Sequence, residues 1–321
     1  MDQVAQQLLR AIRGSRSQVG FARRLGYRAN PITDWESGRS FPTALEMLRA
    51  ASLVPIDVLG AFARFSPATP LSRGRSNFEL AAWMTSLLGA TSISELSRRM
   101  ACSRSSLSRW ASGKAQPRVP DFLSFVQHAT GRVADLVAAL VPIEQVPSML
   151  QQHRSAEAAK RIALDHPWTE ALLRLFELQP PATLQPAVLA RALGVDAATI
   201  EAALRALLES GLVARESRRY RVLRPLTVDT AGGREALRAI KAHWSRAAAQ
   251  RALEPHPDDV FGYNVISVSR TDLERIRDVL KHAYREIRAI VAASEPPERA
   301  ALVNLQLINW EMPSSSERSN P

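Results

Sequence analysis

The sequence predicts a mainly α-helical chain of several small domains with a limited β contribution in its later half. Three observations carry this. An internal repeat with helical spacing runs between Gly14 and Leu123, an apolar helix near residue 200 is followed by an alternating hairpin pattern, and helical and strand-like segments alternate after Thr230. At 321 residues the chain exceeds one ordinary domain of roughly 150 residues. With 46% hydrophobic and 23% charged residues it is neither a polyelectrolyte nor a membrane protein, and it can bury real cores.

Charge is concentrated at the start. Residues 1–140 hold 17 Arg and one Lys against nine acids, a net +9 of the total +11, and the rest of the chain carries only +2. A basic module beside a nearly neutral one points to a polyanion partner, because guanidinium groups neutralise and orient on phosphates. The competing reading is an arginine-rich surface that is merely well solvated. No run approaches the ~18 apolar residues of a membrane span, and the opening Met-Asp-Gln-Val lacks the layout of a secretory leader. The expectation is a cytoplasmic protein without membrane contact. Cys102 is the single cysteine, which excludes an internal disulfide, and no pair among the six histidines has metal-ligand spacing.

Gly14–Leu48 aligns without a gap on Gly89–Leu123, with nine of 35 positions identical, among them Arg23/Arg98, Arg24/Arg99, Trp35/Trp110, Gly38/Gly113 and Pro42/Pro117. Each unit reads as two short helices around a tight turn. Ser17 and Ser92 are N-caps for the first helix. The turn follows at Gly26-Tyr27-Arg28. Asn30 then caps the second helix with Pro31 at its first position, Ile32 and Trp35 (Leu107 and Trp110) pack inward, and Gly38 and Gly113 supply a left-handed stop before Pro42 and Pro117. Two such helices form a helix-turn-helix, whose second helix fits a major groove. The two domains are expected at residues 1–63 and 78–141, joined by the Ser/Pro/Gly/Arg-rich linker 64–77.

Residues 17–27 (Ser-Gln-Val-Gly-Phe-Ala-Arg-Arg-Leu-Gly-Tyr) with 32–42 (Ile-Thr-Asp-Trp-Glu-Ser-Gly-Arg-Ser-Phe-Pro) resemble the lambda-repressor-like, Cro/repressor-type helix-turn-helix, as does the second copy through Leu-Ser-Arg-Trp-Ala-Ser-Gly-Lys-Ala-Gln-Pro. The resemblance implies a phosphate contact for Gln18, which has no counterpart in Ile93. It also implies a recognition front of Arg28, Asn30, Thr33 and Asp34 in copy one, and of Arg104, Ser105, Ser108 and Arg109 in copy two. Arg suits guanine and Asn suits adenine, while Ser and Thr mostly reach phosphate. Copy one keeps the family's common Glu as Glu36, whereas copy two has Ala111, so one copy reads and the other packs in an alternative arrangement. Arg23, Arg24, Arg98, Arg99, Arg39 and Lys114 are candidate phosphate contacts, weighed against a solvated face. Trp35 and Trp110 are expected as core anchors, and Cys102 as a small packing residue.

A connecting helix is expected over 142–165. Over 166–229 a helix ending at Gln179-Pro180-Pro181 precedes Leu184–Leu193, a turn at Gly194-Val195-Asp196, and a helix over Ala197–Ser210 that Asp196 caps and Gly211 ends. The alternation in 212–216 and 220–223 around Ser217-Arg218-Arg219 is a hairpin, which completes a winged helix. Its helix is a poor reader, whereas its wing is basic, so Arg218 and Arg219 are candidate phosphate contacts beside a protein-binding reading. Residues 230–311 read as helix, strand (Tyr263–Val268), helix, strand (Leu302–Trp310), a small α+β regulatory or dimerisation domain, and 312–321 as a disordered tail. With a winged helix followed by His243-Trp244, the Ser-Arg-Thr-Asp-Leu-Glu-Arg-Ile helix and a terminal Leu-Gln-Leu strand, residues 158–311 resemble an uncharacterised family of bacterial regulators, which implies regulation without a known ligand.

No Gly-rich phosphate loop, nucleophile elbow or metal motif occurs, and His256 beside Asp258 and Asp259 reads as an ordinary Pro-flanked loop. The expectation is therefore a protein that is not an enzyme and needs no cofactor. It is read as a sequence-specific double-stranded DNA-binding transcriptional regulator, a possible homodimer with a possible peptide, protein or small-molecule effector at its C-terminal domain. The alternative is a protein–protein interaction scaffold whose helix-turn-helix copies no longer read DNA.

Overall fold

The computed structural model describes residues 1–66, 71, 76–89, 91–178, 185–216, 219–223 and 234–310. Among these it is mainly helical, with a single two-stranded sheet. No helix among the described residues is long and apolar enough to cross a membrane. The chain forms two compact units, the first principally Met1–Arg161 and the second principally Ile162–Leu208 with segments from Val213 onward.

The first unit is two five-helix copies in one register. Helices α1 (Asp2–Arg13), α2 (Gln18–Arg24), α3 (Ile32–Ser37), α4 (Ala44–Ser52) and α5 (Val58–Phe65) are followed by α6 (Asn77–Ser86), α7 (Ile93–Met100), α8 (Arg104–Ala111), α9 (Val119–Thr130) and α10 (Val133–Leu140). Four of the five pairs begin at the offset that lays Gly14 on Gly89, so the repeat extends well beyond the segment in which identity shows. Burial follows the same register where identity fails: Ala5/Leu80, Leu8/Trp83, Met47/Phe122, Ala61/Leu136 and Phe65/Leu140 are all core positions. Ser17 and Ser92 cap as expected, accepting from the Gly20 and Glu95 amides at 3.1 Å.

The third pair departs from register, and the chemistry explains it. Helix α8 starts at Arg104 because the Ser103 hydroxyl accepts from the Ser106 amide at 3.1 Å. The corresponding positions in copy one are Arg28, which has no acceptor, and Pro31, which has no amide proton, so that cap cannot form. Helix α3 begins only at Ile32 with Pro31 at its N-cap position and no side-chain cap bond. The expected Asn30 cap is therefore corrected: Asn30 donates instead to the Thr33 hydroxyl at 2.9 Å. Both second helices stop alike, with Gly38 (φ 80°) and Gly113 (φ 71°) left-handed and the amides of Ser40 and Ala115 returning to the carbonyls of Asp34 and Arg109.

The copies are joined as isologous partners. The Ala44 amide donates to the Pro117 carbonyl at 2.9 Å, and its counterpart Val119 donates to Pro42 at 3.0 Å, bracketing an antiparallel bridge of Thr43 with its own counterpart Arg118. Helix α5 packs on its counterpart α10, where the Arg64 guanidinium donates to the carbonyl of Ala139, again its own counterpart. Residues that meet their own counterparts lie on a two-fold axis, so one chain contains a pseudo-dyad. A single hydrophobic core runs through both copies. Trp83 of α6 stacks at 4.6 Å on Phe62 of α5 and at 6.1 Å on Phe122 of α9. Leu71, inside the expected linker, is buried in this core. The copies are thus packed together and not beads on a tether. A short 3-10 turn (Ile143–Gln145) leads to α11 (Pro147–Asp165), where Ser148 is held by Gln7 of α1.

The second unit holds α12 (Thr169–Glu177), α13 (Pro186–Leu193), α14 (Ala197–Glu209) and an antiparallel hairpin of β1 (Val213–Glu216) and β2 (Arg219–Val222). Asp196 caps α14 through the Thr199 amide at 2.8 Å, and Gly194 and Gly211 are left-handed as expected. Phe176 of α12 packs on Tyr220 of β2 at 5.0 Å over a core of Leu172, Leu189, Ile200 and Leu204. Helices α15 (Arg234–Leu253) and α16 (Arg270–Ala293) follow. The expected strands Tyr263–Val268 and Leu302–Trp310 are corrected: neither forms a strand, and neither pairs among the described residues. None of the described residues from 237 to 310 with a placed side chain is buried, so this part has no core of its own in the single chain. The expected tail 312–321 lies outside the described residues.

Candidate nucleic-acid interface

The two copies present different chemistry at matching places. In copy one, Glu36 is buried on α3 and sits at the centre of a polar cluster. Arg13 of α1 reaches it with Nε at 2.5 Å and Nη2 at 3.1 Å, Gln18 of α2 donates Nε2 at 2.8 Å, and Arg10 donates to the Glu36 carbonyl at 2.7 Å. Burial opposes ionisation of Glu36, but hydrogen bonds from Arg13 and Gln18, with the charges of Arg13 and Arg10, outweigh it and hold its carboxyl below the ordinary range. The cluster continues outward: the Thr33 hydroxyl donates to Gln18 Oε1 at 3.0 Å, and Asn30 donates to Thr33.

Gln18, Asn30 and Thr33 are thus brought together, bonded to one another. Asn30 Oδ1 is buried without a partner and its amide is committed to Thr33, so the two-pronged adenine contact is not presented. Asp34 pairs with Arg39 at 2.8 Å on the exposed surface, so an acid stands beside that candidate cation. Arg23, Arg24 and Arg28 are exposed and form no ion pair among the described residues.

In copy two, Leu88, Ile93 and Ala111 stand where Arg13, Gln18 and Glu36 stand in copy one, so the polar cluster is replaced by apolar packing. The face of α8 opposite the buried Leu107 and Trp110 carries Arg104, Ser105, Ser108 and Arg109, all exposed. The position of Asp34 is Arg109 and that of Arg39 is Lys114, so no acid offsets them. Arg98, Arg104, Arg109 and Lys114 make no ion pair among the described residues, while Arg99 pairs with Glu95 one turn away. A cation without an internal ion pair has none to break when it meets a phosphate.

Trp35 and Trp110 are buried and belong to the core. Tyr27 stacks edge-on against Trp35 at 5.7 Å. Cys102 sits in the turn, and burial, with the charge of Asp121, pushes its thiol up, which suits a packing residue. On the hairpin Arg219 is exposed; Arg221 pairs with Glu216 at 2.5 Å, and Arg218 lies outside the described residues. His256 forms a local turn, in which Asp259 accepts from its amide at 2.7 Å and from Arg251 at 2.6 Å. No cluster of metal-ligating side chains occurs among the described residues.

The copy-wide register of burial, the shared dyad and the inert cluster around Glu36 are not legible from identities alone. The pairing of Asp34 with Arg39 has a sequence signal: the acid and base flank the helix stop in copy one and are both basic in copy two.

Residues 154–309 match the family model of a domain of unknown function, DUF4423, which spans α12 to α16 and the hairpin and lies close to the 158–311 expected from resemblance. Searches of curated proteins and of solved structures gave no match.

Proposed function

We propose that the protein is a sequence-specific double-stranded DNA-binding transcriptional regulator. In this reading the first unit is a tandem pair of lambda-repressor-like helix-turn-helix domains, α2/α3 and α7/α8, and α12 to β2 form a winged helix. The observation that carries it is the exposed set Arg104, Arg109 and Lys114 on and beside α8, without ion pairs among the described residues and with serines interleaved, on the second helix of its pair. Helix α8 is the base-reading element, and Arg23, Arg24 and Arg98 on the preceding helices contact phosphates. Arg219 on the hairpin is an accessory phosphate contact.

The helices α15 and α16 and the irregular segments around them form the homodimer surface. Tyr263 is 95% and Trp310 74% exposed, and Val260, Val265, Val279 and Ile308 are also exposed. Exposed large apolar side chains gathered in one part of a chain mark an interaction surface. The charges in 234–310 nearly balance, so a second copy meets little repulsion. The same exposed surface favours a second reading, an interaction scaffold that binds another protein or peptide and no DNA.

The test is selection of randomised duplex DNA by the full chain at near-physiological salt, followed by affinity against salt. A regulator enriches a motif and loses affinity with a log–log slope of about −0.9 per neutralised phosphate. Absence of duplex retention even at low salt selects the scaffold.

A further inference from the structure

We infer that one chain reads both halves of its DNA target, and that the two half-sites are unlike in sequence. This rests on the DNA-binding reading above and adds the symmetry of the target. Repressor-type proteins match a two-fold axis between two chains to the two-fold axis of duplex DNA, so their operators are inverted repeats. Here the axis lies inside one chain. It is fixed by reciprocal bonds from Ala44 to Pro117 and from Val119 to Pro42, by the meeting of Thr43 with Arg118, and by α5 packed on α10. A core common to both copies makes the arrangement rigid.

A dyad relates the surface of α3 to the surface of α8, so an approach along that axis, set on a dyad of duplex DNA, offers both second helices to symmetry-related grooves. The geometry is that of a dimer, but the side chains are not. The α8 face offers Arg104 and Arg109, which have no ion pair among the described residues, a pattern suited to guanine. The counterpart face offers Arg28 and hydroxyl or amide groups already bonded in the Glu36 cluster, with Arg39 held by Asp34. One half of the target is therefore strongly specified and carries guanine, and the other is weakly specified and held mainly through its backbone. Dimerisation through α15 and α16 would double this composite site without making its halves alike.

The test compares motifs selected from randomised duplex DNA by the wild-type full chain, by Arg104→Ala/Arg109→Ala, and by Arg28→Ala. Circular dichroism confirms that the exposed substitutions leave the helices formed. The expected wild-type motif has a sharp block and a weaker, unlike block at fixed spacing, both protected in a hydroxyl-radical footprint. Arg104→Ala/Arg109→Ala erases the sharp block and leaves the other, whereas Arg28→Ala alters only the weaker one. Two identical inverted blocks that both vanish in the Arg104/Arg109 variant would overturn the inference while keeping DNA reading, because each half would then come from copy two of a different chain. A single protected block would overturn it as well, by removing copy one from the DNA. Failure of the wild-type chain to retain duplex at low salt overturns the DNA-binding reading and the inference with it.

Discussion

Ala101 occupies a left-handed conformation (φ 49°, ψ 35°) at the end of α7, and it is the one non-glycine residue with positive φ among those described. Its counterpart in the repeat is Gly26, at φ 83°. A Cβ in this region costs roughly 1 kcal/mol, part of which is offset because alanine restricts the unfolded chain. Ala101→Gly is therefore expected to stabilise the first unit by up to about 1 kcal/mol and Gly26→Ala to destabilise it by about 1 kcal/mol, both read by chemical denaturation. Glu36 gives a prediction at the same scale. Its carboxyl titrates below the ordinary range, so its contribution is fully present above the unfolded carboxylate pKa and is lost as pH falls through the folded value. Glu36→Gln should cost about 2–3 kcal/mol at neutral pH, since it leaves Arg13 without its partner carboxylate. It should also flatten the loss of stability below about pH 4; an unchanged acid profile would remove Glu36 as its cause.

Among the elements, the difference between α3 and α8 follows from two positions. Ser103 and the Ser106 amide make a cap that Arg28 and Pro31 cannot make. Ser103→Ala should weaken α8 by about 1 kcal/mol and loosen the placement of Arg104, lowering specific affinity more than nonspecific affinity. A parallel comparison assigns roles to helices. Arg104→Ala/Arg109→Ala should relax base preference, whereas Arg23→Ala/Arg24→Ala should weaken all sequences alike and reduce the salt slope by about two contacts. Equal effects of the two pairs on every sequence would show that α8 contributes only charge. Most of these helices are legible in the sequence, because caps such as Ser17, Ser92 and Asp196 and stops such as Gly38 and Gly113 act through bonds to near neighbours. The two expected strands after residue 260 are not formed, because alternation gives a segment the capacity to pair but supplies no partner.

For the whole molecule, the shared core of the first unit predicts joint unfolding of the two copies. Trp83 belongs to copy two but stacks on Phe62 and Phe65 of copy one, so Trp83→Ala is expected to cost about 3–5 kcal/mol. Hydrogen exchange should show protection falling in α5 and in α6 together, and loss confined to α6 would deny the common core. For the C-terminal helices, the full chain is expected to sediment as a dimer. Tyr263→Asp with Ile308→Asp should yield a monomer that selects an unchanged DNA motif.

The sequence by itself determined the helical class, the duplication, the short hairpin, the positions of caps and stops, and the basic bias of the N-terminal part. Each is written in composition or in residues within a few positions of one another. Only the tertiary structure decided that the copies share one core around a dyad, that Gln18, Asn30 and Thr33 are bound into the Glu36 cluster, and that Arg104, Arg109 and Lys114 have no ion pair among the described residues. These outcomes depend on which side chains meet across long stretches of chain, from one helix to the next or from one copy to the other. Pairing at that range is set by packing and by competition for partners, not by local propensity.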